Sequence, residues 1–204
     1  MIYLIGGPPR CGKTTLAKRL PYSWISADTL EGVVRDMTNK ADLDRLFPKN
    51  RMRRKTKNSN DLMYTTYSAK DIVKAYIQQS KATWKAIESV VVSKIGEGHD
   101  YVIEGHQIHP ALVSKLMKKY KKEIKPIFLT RSDTNEIVSG CLKHKAKNDW
   151  FIQKTKNKEA YYLMAEMIRV YGEYYEKEAK KVGLKVMNMD GDFEVKLGEI
   201  ADNN

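Results

Sequence analysis

The stretch Ile2-Tyr3-Leu4-Ile5-Gly6-Gly7-Pro8-Pro9-Arg10-Cys11-Gly12-Lys13-Thr14-Thr15 joins a short apolar run to a loop framed by glycines. From Gly7 to Thr14 it fits G-x-x-x-x-G-K-[ST] at every fixed position, and the helix-prone Leu16-Ala17-Lys18-Arg19-Leu20 follows. Strand, glycine loop and helix in that order are the context that separates a phosphate-binding loop from a chance glycine-rich turn. The glycines let backbone N–H groups close around an anion, and the helix N-terminus adds its positive dipole. Residues Gly7, Pro8, Pro9, Arg10, Cys11, Gly12, Lys13, Thr14 and Thr15 are therefore expected to cradle a nucleotide triphosphate. Lys13 should reach the β- and γ-phosphates, and the Thr14 hydroxyl should bind Mg²⁺.

Outward from this loop, short apolar runs alternate with helical stretches. Runs at 2–5, 24–27, 101–103, 124–130 and 184–189 read as strands, with helices at 13–20, 29–37, 110–120, 133–142 and from about 193. Alternation of this kind predicts an α/β fold with a five-stranded parallel sheet and flanking helices. Two longer helices fall outside it, and each marks an inserted lobe. One begins at Ser68, with Asp71 three residues on, and stops at Gly96 and Gly98. The other spans about 159–182 and puts Tyr161, Met164, Ile168, Tyr171 and Tyr175 on one face, a spacing that suits packing against a sheet.

With 204 residues the chain is expected to form one domain with a full core. Its 37 Lys and Arg against 25 Asp and Glu give net +12, so the surface should attract anions: phosphorylated metabolites, nucleic acid or acidic partners. Two cysteines are too few for a disulfide framework or a zinc site. Neither a secretory leader nor an apolar run long enough to span a membrane is visible, so a cytoplasmic protein with no membrane partner is expected.

Phosphate loops serve switches, motors and kinases alike. Asn39-Lys40-Ala41-Asp42 spells the N-K-x-D that reads guanine, but no apolar strand precedes it and it follows the loop too closely, so ATP is expected in preference to GTP. The layout from Met1 to about Asp192 resembles the small phosphate-loop kinases: nucleoside monophosphate, shikimate, gluconate and polynucleotide kinases. Four features carry the resemblance. They are the early loop, the acid Asp28 after the second strand, the acid in Tyr101-Val102-Ile103-Glu104-Gly105, and the tail Ile168-Arg169-Val170-Tyr171 with Leu184-Lys185-Val186-Met187-Asn188-Met189-Asp190-Gly191.

That resemblance implies transfer of the γ-phosphoryl group of ATP, with Mg²⁺, to a hydroxyl or phosphate of a small anionic metabolite or nucleotide. It implies that Asp28 positions or deprotonates the acceptor, although an Asp there could also cap the helix beginning at Thr29. Glu104 joins Thr14 in holding Mg²⁺, and Arg35, two helical turns past Asp28, reaches an anionic group of the acceptor. The region 29–95 is then a helical acceptor-side insertion and 143–158 a lid. The lid holds Lys143, Lys145, Lys147, Lys154, Lys156 and Lys158 around Asn148-Asp149-Trp150 but no arginine, so Arg169 and Arg131 are expected to stabilise charge instead.

Gly105-His106-Gln107 stands where monophosphate kinases continue with Pro-Arg, which weakens a nucleoside monophosphate as acceptor. His106 and His109 read as ordinary polar loop histidines. The basic run 49–57, a solvated loop on the sequence alone, carries Arg51, Arg53 and Arg54 and is expected to draw in a polyanionic acceptor and to order on binding. Two rivals stay open: a zeta-toxin-like or polynucleotide-type kinase, and an ATP-dependent nucleic-acid-binding protein that transfers nothing.

Overall fold

The computed structural model describes residues 1–143 and 149–202. Five strands, β1 (Ile2–Gly6), β2 (Ser23–Ser26), β3 (Tyr101–Gly105), β4 (Ile124–Thr130) and β5 (Met187–Asn188), form a sheet in the order β2-β3-β1-β4-β5, every pair parallel. This is the expected α/β architecture. β1 is buried along its whole length because it is central, with Leu4 opposite Ile103 on one side and Pro126 on the other. Pro126 sits where β4 has no outer neighbour, since β5 pairs only with Leu129 and Thr130. From β1 the chain crosses first to one side of the sheet and later, after β3, to the other. The carboxyl end of β1 is therefore the switch point at which parallel sheets bind ligands.

Eleven helices are described: α1 (Lys13–Arg19), α2 (Ala27–Asp36), α3 (Lys40–Leu46), α4 (Pro48–Lys55), α5 (Asn60–Thr66), α6 (Ala69–Gly96), α7 (Pro110–Met117), α8 (Thr134–Lys143), α9 (Trp150–Gln153), α10 (Lys158–Lys181) and α11 (Phe193–Asp202). Ser68 caps α6 by accepting from the Asp71 N–H at 3.1 Å, and Asn157 caps α10 by accepting from Glu159 at 3.0 Å. The tyrosine face of α10 is core as expected. Tyr171 and Tyr175 are fully buried and both donate to the His106 carbonyl, at 3.0 and 2.7 Å.

Several expectations need correction. The fifth strand has two residues instead of six. Beyond Asn188 the Asp190 carboxylate accepts from Ser132 and Asp133 and turns the chain off the ladder, with Gly191 at φ +85°. Helix α2 starts at Ala27, not Thr29, and its cap is Ser26, whose Oγ accepts from the Asp28 N–H at 3.3 Å; Asp28 is thus not the cap. The basic run 49–57 is not a loop waiting to order. Most of it is α4, started by Pro48 at its first turn. Asn39-Lys40-Ala41-Asp42 enters α3, with no strand before it. Among the described residues no helix is long and apolar enough to cross a membrane.

Candidate active site

The loop between β1 and α1 owes its path to two glycines. Gly7 has φ +146° and Gly12 φ +90°; a Cβ on Gly7 would lie 2.1 Å from the Leu129 carbonyl oxygen, and one on Gly12 2.6 Å from the Phe193 ring. Lys13 follows, 8% exposed, and its ammonium donates to the Pro8 carbonyl at 2.6 Å, folded over the loop it would serve. Thr14 and Thr15 stay exposed at the start of α1. Cys11 is buried beneath, and burial pushes its thiol up to about 12, so it is an inert packing group.

Two cavities flank this loop. One, of about 580 Å³, lies toward α8 and α11 and is lined by Gly12, Thr15, Arg131, Ile137, Cys141 and Phe193 among others. The other, of about 770 Å³, lies toward α2 and α4 and takes in Lys13, Thr14, Asp28, Glu31, Arg35, Lys49, Tyr76 and Glu104. Arg10 and Asp149 line both.

The second cavity collects the acids expected from sequence. Thr14 Oγ1 donates to Glu104 Oε1 at 3.1 Å, joining the ends of α1 and β3, and Glu104 is itself buried. Among the described residues no cluster of three His, Cys, Asp or Glu side chains is arranged to hold a metal. A hydroxyl with one carboxylate nevertheless fits Mg²⁺, a hard cation that keeps several waters and phosphate oxygens and needs few protein ligands.

Asp28 faces this cavity, with its side chain 68% exposed. Crowding works to raise its carboxyl pKa, but His106 Nε2 at 3.4 Å, the Gln107 amide at 2.8 Å and the nearby Lys49 ammonium outweigh it. The net effect holds the group well below the usual carboxylate range, ionised at neutral pH. Arg35, seven residues along α2, lines the same cavity and also contacts Asp36 at 3.2 Å.

Several residues of this wall were not singled out from sequence. Glu31, 5% exposed, lies on the Asp28–Arg35 face of α2 and accepts from Gln107 at 3.0 Å and Gln79 at 2.6 Å. Gln79 Oε1 accepts from the Asn50 N–H at 3.2 Å, which ties α6 to α4. Lys49 lies 5.0 Å from the Tyr76 ring centroid; burial lowers its ammonium pKa, while Glu31 and Asp28 pull the other way. Positions 28, 31 and 35 share one helix face, so Glu31 was within reach of spacing arithmetic. Lys49 belongs to the basic run 49–57 expected on the acceptor side, but its meeting with Gln79 and Gln107, which arrive from distant segments, leaves no local trace.

Other expected residues go elsewhere. Arg169 lines neither cavity, because its guanidinium is tied to Glu166 at 2.7 Å and to Glu173, both on its own helix. Arg131 lines the cavity away from Asp28 and is held by Glu136 at 3.0 Å and Asp190 at 3.5 Å. On α4, Arg53 donates to Asn60 Oδ1 at 3.1 Å, Arg54 pairs with Asp44, and Arg51 is exposed without lining either cavity; Lys49 is the basic residue of that run that does. His106 and His109 are buried rather than solvated. Of the lid, Lys145, Lys147 and Asn148 lie outside the described residues, while Asp149 is paired with Arg10.

No protein-family profile and no curated protein matches the chain. A crystal structure from Chloroflexus aurantiacus, provisionally assigned as a kinase, aligns with 99% of this chain and 94% of its own at 13% identity, with a TM-score of 0.45. That likeness is too slight to inform the site.

Proposed function

We propose that this chain is an ATP- and Mg²⁺-dependent phosphotransferase of the phosphate-loop class, moving the γ-phosphoryl group to a small anionic acceptor. The observation that carries the reading is the position of Lys13. It lies buried in a glycine loop at the switch point of a parallel sheet, with one cavity on either side and Asp28 facing the second. On this reading the cavity toward α8 and α11 takes the nucleoside, beside Arg131 and Phe193, which pack on each other with the guanidinium carbon 5.7 Å from the ring centroid.

Backbone N–H groups of the loop and the Lys13 ammonium bind the phosphates. Thr14 and Glu104 would hold Mg²⁺, which would supply positive charge against the phosphates. Asp28 accepts a hydrogen bond from the acceptor hydroxyl. As that oxygen bonds to the γ-phosphorus, the bond from phosphorus to the β,γ-bridging oxygen breaks, ADP leaves and the hydroxyl proton passes to Asp28. A carboxylate held so low is a weak base, so Asp28 chiefly orients the hydroxyl and takes its proton late. A loose phosphoryl-transfer transition state asks for no more.

Lys49 and Arg35 supply positive charge to the acceptor cavity, which supports an acceptor carrying a phosphate or carboxylate beside its hydroxyl. The same arrangement favours a small molecule over a polynucleotide. On α4 Lys49 is turned to the cavity and Arg54 is paired with Asp44.

Calorimetric titration of Mg-ATP into the parent and Lys13→Ala tests the loop. Loss of about tenfold or more in affinity is expected, the scale of a hydrogen bond to a charged group. Equal affinity would remove the assignment.

A further inference from the structure

A phosphoryl group passing from donor to acceptor must stand between the two cavities, and only Arg10 and Asp149 among the described residues line both. Arg10 is fixed there from three directions. Its backbone has φ +67°, an uncommon value for a residue with a side chain, at a loop position where glycine would be at ease. Its Nη2 donates to Asp149 Oδ1, and its guanidinium carbon lies 5.0 Å from the centroid of the buried Phe151 ring. Phe151 is held in turn, because its carbonyl accepts from Asn60 Nδ2 at 3.3 Å and from Thr155 Oγ1 at 2.5 Å.

Arg131 and Arg169, the arginines expected to stabilise charge, are each engaged by two carboxylates and do not stand at this partition. The guanidinium fork matches a phosphate in a way that an ammonium does not. We propose that Arg10 is the arginine that engages the terminal phosphate, with Asp149 and Phe151 as the residues that position it. This rests on the reading of the loop as a triphosphate site. It goes further by placing the charge-stabilising arginine in the loop itself, not in the lid or on α10.

The test compares Mg-ADP with the non-hydrolysable Mg-AMP-PNP by calorimetry. Arg10→Ala should weaken AMP-PNP by about tenfold to a hundredfold and change ADP by less than about threefold, because only the triphosphate makes the lost charged contact. Arg10→Gly, which suits the positive φ, should behave the same and guards against a folding defect. Equal weakening of both nucleotides, or of neither, would overturn the assignment. Lys13→Ala keeps the two claims apart. If it leaves both nucleotides bound as tightly as the parent, the loop reading fails; if it weakens both while Arg10→Ala weakens neither selectively, only the Arg10 assignment fails.

Asp149→Ala should weaken AMP-PNP in the parent and add nothing in the Arg10→Ala background. An equal loss in both backgrounds would show that Asp149 acts without Arg10.

Discussion

The side-chain amide of Gln107 donates to Asp28 Oδ1 at 2.8 Å and, from the same nitrogen, to Glu31 Oε2 at 3.0 Å, so one uncharged group bridges two acids on one face of α2. Gly105 leaves room for it: a Cβ there would come within 2.5 Å of Gln107 Oε1. Without this amide the two carboxylates would face each other across a partly dry wall, and Glu31 would keep only its bond from Gln79. The bridge therefore serves both the fold and the charge state of Asp28.

Gln107→Leu should accordingly lower stability by about 1–3 kcal/mol, the cost of leaving buried polar groups unpaired. Urea unfolding at neutral pH measures this, with the midpoint expected to fall and the slope to hold. An unchanged midpoint would mean that the bridge is not needed to keep the two acids together.

On the proposed function, the cavity beside Asp28 makes a distinction within the basic helix. Lys49→Ala should raise the acceptor KM by about tenfold, with Mg-ATP affinity unaltered, since a charged contact is lost on one side of the loop only. Arg51→Ala should leave both constants alone, because Arg51 is exposed and lines neither cavity. Steady-state kinetics on the two variants decides it, and the reverse ranking would contradict the placement of the acceptor.

Much of this was legible locally. The apolar runs, the loop between Gly7 and Thr14 and the Ser68 start of α6 are patterns of near neighbours, and the sheet followed from their alternation. Arg169 shows the opposite kind of lapse. Glu166 and Glu173 lie three residues before it and four after it, a spacing that brings side chains together on any helix, so its engagement could have been foreseen. The joining of Lys49, Gln79 and Gln107 to Asp28 and Glu31 was beyond sequence because these residues sit on α2, α4 and α6 and in the turn after β3. Their meeting is a property of the packing. Within the helical insertion expected at 29–95, α3 and α5 were not told apart because each has only seven residues. The register of α5 depends on distant anchors such as Asn60, which accepts from Arg53 and donates to Phe151.

His109 gives a pH dependence. Burial, together with neighbouring His106, holds its imidazole down at about 3; Tyr174 OH lies 3.0 Å from Nδ1 and Tyr171 OH 3.3 Å from Nε2. Folding thus keeps the ring neutral, while the unfolded chain takes up a proton near pH 6.5. Stability from this group is complete above about pH 6.5 and is lost progressively as pH falls toward 3, by a few kcal/mol at most. Unfolding free energies at pH 7 and pH 5 should show the parent losing more stability than His109→Gln, and identical losses would mean that the ring is protonated in the folded state.

The central claim is that Asp28 faces the hydroxyl to which the loop delivers a phosphoryl group. Its most direct test is to incubate the protein with γ-labelled Mg-ATP and a mixture of small hydroxy acids and phosphorylated alcohols, then compare parent with Asp28→Asn. The account predicts label in an organic product for the parent, and loss of that transfer by about 10² or more in Asp28→Asn while Mg-ATP still binds. Label released only as inorganic phosphate, at the same rate by both proteins, would contradict it.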